Sequence, residues 1–233
     1  MTKPVNLKKM KELKYIKIAH ELNTELAGKL AAQEFHFRGN LNSFSLISLS
    51  KGTPEMGYSG LQTKETGKKR FNEAIHLEGF KPRTLTNGKK GKNPEKELQA
   101  WIIKHALSND LKLPFDPSIK FLCSELSLKM KDGKRAVNDV LGIDVSGNLV
   151  IIELKTDRHK KRLTEQVNNF EEAIVLNEEF FKKLVKVFLP SEEWSGKIKK
   201  IVIWPALDSG KMISWKDGIR EITYKQIEKK REN

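Results

Sequence analysis

The sequence predicts an α/β fold in which helices flank a mixed sheet, preceded by a basic N-terminal region. From residue 93 the candidate elements follow the order α-β-β-β-α-β, with short apolar runs alternating with longer helical patterns. The 233 residues carry a net charge of +14. Residues 1–92 hold 18 Lys and Arg against 8 Asp and Glu, or +10, whereas residues 93–233 add only +4. We therefore expect a basic region at 1–92, partly α/β, and a second domain at 93–233.

Within the basic region, alternating apolar residues on either side of Gly39-Asn40 predict a β-hairpin. The excess positive charge makes the region a candidate for binding nucleic acid, and the alternative is a solvated basic arm. The predicted elements, in chain order, are a helix at 23–34, strands at 34–38 and 41–50, a loop at 51–70, a short helix at 71–77 and a basic linker at 81–92.

The second domain is predicted to begin with a helix that runs to about Ser108. Asn93 is a suitable N-cap, Pro94 fits the first helical position, and Glu95 favours the positive end of the helix dipole. A later helical stretch changes its apolar face near Asn177, so two helices are possible there. The remaining elements are strands at 120–130, 135–144 and 149–155, the helical stretch at 161–188, a strand at 199–204 and a weaker strand at 220–224.

Two carboxylates stand out in the hairpin predicted over residues 138–155. If residues 145–147 form a three-residue turn, Asp139 lies directly opposite Glu153, with Cβ atoms roughly 5 Å apart. Lys155 projects from the same face as Glu153. Opposed carboxylates repel unless a cation bridges them, and Mg²⁺ or Mn²⁺ prefers such oxygen ligands. A two-residue turn at Ser146-Gly147 would instead send the two carboxylates to opposite faces.

Asn138-Asp139, the short hairpin and Glu153-Leu154-Lys155 resemble the signature of the PD-(D/E)XK nuclease superfamily, which has a restriction-endonuclease-like fold. The resemblance covers roughly residues 93–205. It implies that Asp139 and Glu153 bind the divalent metal and that Lys155 positions or activates the attacking water. The chain departs from the usual pattern at Asn138, where the family generally has proline.

Two further positions are candidates on the basis of the resemblance. Family members often carry a metal-facing glutamate on the first core helix, where Glu95 and Glu97 compete and helical geometry favours Glu95. Gln166 and Phe170 are similar to the Gln-x-x-x-Tyr element of several family branches, with Phe in place of Tyr. Gln166 could bind the water or the substrate backbone; alternatively it is a solvated helical residue.

A basic run follows Lys155 and leads into the long helix. Its cations could neutralise phosphates of the scissile strand, with the helix N-terminus adding donors, or the run could be a solvated loop. The candidate nucleic-acid-binding residues are Arg158, Lys160, Lys161 and Arg162.

The single cysteine, Cys123, excludes an intramolecular disulfide framework and fits a buried position in a cytoplasmic protein. The sequence shows no apolar run of membrane-spanning length, and no membrane partner is expected. DNA is the expected partner, RNA is not excluded, and a homodimer is possible.

These observations predict a Mg²⁺- or Mn²⁺-dependent nuclease that hydrolyses DNA phosphodiester bonds, as an endonuclease. Asp139, Glu153, Lys155 and Gln166 would be catalytic, with Glu95 joining Asp139 and Glu153 at the metal. Two alternatives remain: a nucleic-acid-binding module that keeps the fold without cleaving, and a protein-interaction domain with an acidic partner.

Overall fold

The computed structural model describes residues 13–49, 55–76, 94–130, 132–156, 160–205, 218–224 and 226–227. The chain divides into two compact units, Met1–Lys92 and Asn93–Asn233, and the division falls where the charge density changes. The predicted linker at 81–92, the Asn93 cap and Arg158 lie outside the described residues.

In the first unit, helices pack on a three-stranded antiparallel sheet of order β1-β2-β3. The predicted hairpin is confirmed, with β1 and β2 paired from Phe35 opposite Ser48 to Gly39 opposite Phe44. Alternate strand residues such as Phe37 and Phe44 enter the apolar core. The elements are α1 Lys14–Glu25, α2 Ala27–Ala32, β1 Phe35–Gly39, β2 Phe44–Ser48, β3 Glu55–Leu61 and α3 Lys64–His76.

The loop predicted for residues 51–70 is wrong from residue 55 onward, because β3 and half of α3 lie there. Pairing with β2, rather than apolar patterning, defines β3. Gly67, which suggested a loop, allows close packing of α3. A Cβ there would lie 2.7 Å from Leu22 Cδ1 and 3.0 Å from Phe44 Cε2.

The first helix also begins earlier than predicted, at Lys14 rather than near residue 23. Its buried residues Ile16, Ala19 and Leu22 recur every three positions, and Tyr15 and Ile18 are also partly buried. The charged and polar residues between these positions hid the helix from the sequence pattern.

The second unit contains a six-stranded mixed sheet of order β11-β10-β9-β8-β5-β4, which confirms the α/β class. Strands β4, β5, β8 and β9 pair antiparallel, whereas β10 runs parallel to both β9 and β11. The elements are α4 Pro94–Ser108, β4 Lys112–Leu113, β5 Asp116–Ser124, β6 Ser127–Lys129, β7 Arg135–Val137, β8 Val140–Asp144, β9 Leu149–Leu154, α5 Lys160–Leu176, α6 Glu178–Phe188, β10 Ile198–Trp204 and β11 Ile219–Thr223.

Two predicted strands each divide in the structure. The first begins at Asp116 and breaks near Glu125, which has a positive φ of 49°; the second breaks at Asn138. As a result β6 and β7 form a separate two-stranded hairpin beside the main sheet. The long helical stretch also divides, at Asn177, into α5 and α6.

The central strands β8 and β9 are buried along their whole length, so the core of the unit surrounds the predicted carboxylate hairpin. Cys123 is free and buried in β5, as predicted. Among the described residues, no helix combines the length and apolar composition needed to cross a bilayer.

Candidate functional site

The turn between β8 and β9 sets the register that brings the two carboxylates together. Residues 145–147 form a three-residue turn, and Gly147 has the positive φ of 76° that glycine tolerates best. The Asp144 carboxylate accepts hydrogen bonds from the backbone N–H groups of Ser146 and Asn148, at 2.9 and 3.0 Å. The pairing of Val140 with Ile152 and Ile143 with Leu149 is the predicted register, and the two-residue alternative is wrong.

Asp139 precedes β8 and Glu153 lies near the end of β9, so the same register sets them opposite each other. Lys155 Nζ lies 3.2 Å from Glu153 Oε2 and 3.7 Å from Asp139 Oδ2. In addition, Asp139 Oδ2 accepts a 2.8 Å bond from Leu154 N–H across the two strands, and Lys155 Nζ donates to the Leu154 carbonyl at 2.9 Å. Two carboxylates and one ammonium group therefore share a small, largely buried space.

Glu153 is only 1% exposed, and its Oε1 is a buried atom that has no hydrogen-bond partner among the described residues. Burial raises the pKa of Glu153 well above its usual value, and the Asp139 carboxylate raises it further by repulsion and by a hydrogen bond to the protonated form. Lys155 opposes this shift only in part. A buried carboxylate oxygen with spare acceptor capacity is suited to receive a proton or a cation.

Lys155 keeps its charge despite being half-buried. Burial alone would lower its pKa, but Asp139, Glu153 and Glu95 together raise the pKa of Lys155 above the usual value. The ammonium group can therefore donate hydrogen bonds to an anion or a water at neutral pH.

A cavity of about 350 Å³ opens beside the carboxylate pair. Of the competing helix glutamates, Glu95 lines it and Glu97 does not. Gln166 also lines the cavity, and its buried Oε1 has no hydrogen-bond partner in the described part of the chain. Phe170 instead packs in the core against Phe181. The lining residues are Glu95, Val137, Asp139, Glu153, Lys155, Thr156, Arg162, Leu163 and Gln166.

The cations predicted to contact phosphates occupy the first turn of α5. Lys160, Lys161 and Arg162 are exposed, and Arg162 also lines the cavity. No acidic residue lies in this turn. Helix N-termini usually favour negative charge, so three cations there oppose the helix dipole. An anion bound at this end would relieve that repulsion.

Among the residues that the structure describes, two carboxylates converge closely in this site. Across the described residues, no group of three or more His, Cys, Asp and Glu side chains is arranged to hold a metal ion. Glu95 therefore lines the cavity without completing a three-carboxylate group. The oxygens of Asp139 and Glu153 are nonetheless hard ligands, and Mg²⁺ sites commonly use one or two carboxylates and complete the shell with water and substrate phosphate.

Two residues at the site were not found from the sequence. The buried Gln99 on α4 donates from Nε2 to the backbone carbonyl of Asp139 at 2.9 Å, and its Oε1 accepts from Lys96. The Tyr224 hydroxyl donates to the Lys155 carbonyl at 2.5 Å. Burial raises the pKa of Tyr224, and the charges of Glu95 and Asp139 add to the shift, so the phenol stays protonated.

Comparisons of the chain with protein-family models, with curated proteins and with solved structures gave no significant match.

Proposed function

We propose that the chain is a metal-dependent nuclease that hydrolyses DNA phosphodiester bonds, as an endonuclease with a restriction-endonuclease-like core. The observation that carries this proposal is the arrangement of Asp139, Glu153 and Lys155 beside an open cavity. The element order α4, β5, β8, β9, α5, β10 also agrees with the α-β-β-β-α-β order expected of such a core.

The chain's own residues can be assigned roles in this reaction. Asp139 and Glu153 would hold Mg²⁺ or Mn²⁺, and Glu95, which lines the same cavity, would add negative charge beside them. When bound, the ion supplies Lewis-acid stabilisation of negative charge on phosphoryl oxygens. Lys155 remains protonated and donates to the attacking water or to a phosphate oxygen, and Gln166 offers an unused acceptor for that water.

The positive charges around the cavity support a polyanionic substrate. Arg162 contributes a guanidinium to the cavity wall, and Lys160 and Lys161 extend the positive charge along the start of α5. Phosphates bind such helix N-termini through both the cations and the backbone N–H groups. DNA is the proposed partner, with RNA as the other polyanion to be tested.

A second candidate function is a nucleic-acid-binding module that does not cleave. Two observations favour it. No group of three metal-ligating side chains is found among the described residues, and Lys155 already compensates part of the negative charge that a metal ion would otherwise neutralise. Incubation with supercoiled, linear, single-stranded and branched DNA, and with RNA, in Mg²⁺ or Mn²⁺ distinguishes the two. Metal-dependent products support the nuclease, and metal-independent gel retardation without products supports the binding module.

Gln99 is predicted to position Asp139. Replacing Gln99 with Met keeps the side-chain length but removes the donor to the Asp139 carbonyl. Among the described residues, that carbonyl then keeps the 3.2 Å bond from Glu125 N–H. We expect metal affinity to fall by about 10- to 100-fold, as for other groups that orient metal ligands. Calorimetric titration with Mn²⁺ measures this directly, and an affinity equal to wild type in a folded variant would contradict the role.

The first unit is predicted to contribute to nucleic-acid binding within the full chain. Lys17, Lys29 and Lys69 are exposed on its helices, and replacing all three with Gln removes three positive charges without touching its core. If each contacts a duplex phosphate, the slope of log K against log salt should become shallower by about 2.7. Fluorescence anisotropy over a salt series tests this, and an unchanged slope would indicate that these lysines are only solvated.

A further inference from the structure

The hairpin of β6 and β7 presents a distinctive outward face in the second unit. Lys129 lies directly opposite Arg135, and Ser127 directly opposite Val137, so these four side chains share one face. The other face carries Leu128 and Ala136, which are buried, and the hairpin packs against α5. The hairpin is therefore anchored by its apolar side, with its basic side toward solvent.

The paired cations are unfavourable for the hairpin itself. Like charges directly opposite each other on adjacent strands destabilise the pairing. Within the described part of the chain, neither Lys129 nor Arg135 forms an ion pair with an acidic side chain, whereas the neighbouring Lys134 pairs with Asp132 at 3.0 Å. Among the described residues, the positive charge of the outward face is therefore not neutralised by an acidic side chain.

This face continues into the candidate active site. Val137 follows Arg135 on the same face, is 43% exposed and lines the cavity that contains Asp139 and Glu153. Arg162 lines the same cavity. A chain of phosphates entering the cavity would thus meet cations on both α5 and the hairpin, with an apolar side chain placed to contact a sugar or base.

We propose that the outward face of the β6–β7 hairpin binds the nucleic-acid backbone next to the scissile phosphate. The proposal rests on the nuclease function proposed above and assigns the substrate's path across the second unit. Lys129 and Arg135 contact phosphates that flank the site, and Val137 contacts the nucleotide between them and the cavity. The contacts of Lys129 and Arg135 are independent of nucleotide sequence because they involve phosphates of the backbone.

The test is a double variant, Lys129→Gln with Arg135→Gln, compared in the full chain with a control of equal charge change, Lys112→Gln with Lys183→Gln. Both control residues are exposed and neither lines the cavity. Binding of a labelled DNA duplex is measured by fluorescence anisotropy over a salt series without divalent metal. The hairpin variant should make the slope of log K against log salt shallower by about 1.8, and the control should leave it near wild type.

The outcomes test the proposed substrate path over the hairpin separately from the proposed nuclease function. If the wild type binds duplex and the hairpin variant matches the control, the path is wrong while the nuclease proposal stands. If the wild type neither binds nor cleaves any nucleic acid, the proposed function itself is overturned. Where cleavage is seen, the hairpin variant should raise KM and leave kcat near the wild-type value, because it retains Asp139, Glu153 and Lys155. A fall in kcat with unchanged KM would also contradict the path.

Discussion

Replacing Glu153 with Gln is expected to abolish metal-dependent cleavage while leaving the chain folded. The substitution preserves the shape of a side chain that is 1% exposed, and it removes the negative charge that the metal requires. It also removes the repulsion with Asp139, so it creates no unpaired buried charge. Activity should fall by at least about 10²- to 10³-fold, the scale seen when one preorganised electrostatic group is lost.

Asp139→Asn should have the same effect on cleavage, because Asp139 and Glu153 would be the two carboxylate ligands of the metal. Lys155→Met should reduce the single-turnover rate by about 10²- to 10³-fold, the usual range for the loss of one preorganised hydrogen-bond donor. Glu172→Gln, at an exposed position on α5, is the control for loss of a carboxylate. Single-turnover cleavage of plasmid DNA provides the measurement. A Glu153→Gln enzyme that keeps most of its activity in Mg²⁺ would exclude the assignment.

The geometry of the carboxylate pair was predictable because local groups determine it. Asp144, Gly147 and Asn148 lie within five residues of one another and fix the turn, and strand pairing then places Asp139 opposite Glu153. Alternation along β9 places Lys155 on the same face as Glu153. The chain order of the larger helices and strands in the second unit was likewise visible from apolar periodicity, whereas β4 and the division of two strands were not predicted.

The supporting contacts were not predictable because they join distant parts of the chain. Gln99 reaches a carbonyl 40 residues away, and Tyr224 reaches one 69 residues away. No sequence pattern near either residue indicates its partner. A Gln on a helix is usually solvent-exposed, and a Tyr at the end of a strand usually packs against its neighbours. The same limit explains β3, which depends on pairing with β2 rather than on its own apolar content.

Binding of Mg²⁺ or Mn²⁺ is expected to raise the melting temperature of the wild-type protein. Without metal, the second unit carries the energetic cost of a buried carboxylate beside another carboxylate. A cation that binds only the folded state stabilises it by RT ln(1 + [metal]/Kd), or about 2.7 kcal/mol at one hundred times Kd. This corresponds to an increase of about 5 to 10 °C for a chain of this size. Scanning calorimetry with and without Mn²⁺ provides the measurement.

The pH dependence of melting in the metal-free protein provides a second test of the carboxylate pair. Because the folded-state pKa of Glu153 is raised above 4.5, its contribution to stability is fully present below pH 4.5 and is lost as pH rises through the raised value. Glu153→Gln removes that loss, so the metal-free variant should melt no lower than wild type at neutral pH, with any advantage disappearing below pH 4.5. Asp139 still pairs with Lys155 in the variant, so the ammonium group keeps an anionic partner.

The metal effect should show the opposite trend with pH. Protons compete with the ion for the Glu153 oxygens, so the melting-temperature increase should be largest at neutral pH and should shrink as pH falls through the raised pKa of Glu153. Glu153→Gln should lose most of the increase at every pH. An uncleavable DNA duplex is added in a parallel series, because substrate phosphate can complete the coordination of Mg²⁺. If Mn²⁺ at millimolar concentration neither binds nor shifts melting in either series, Asp139 and Glu153 do not form a metal site, and Lys155 and a proton alone balance their charge.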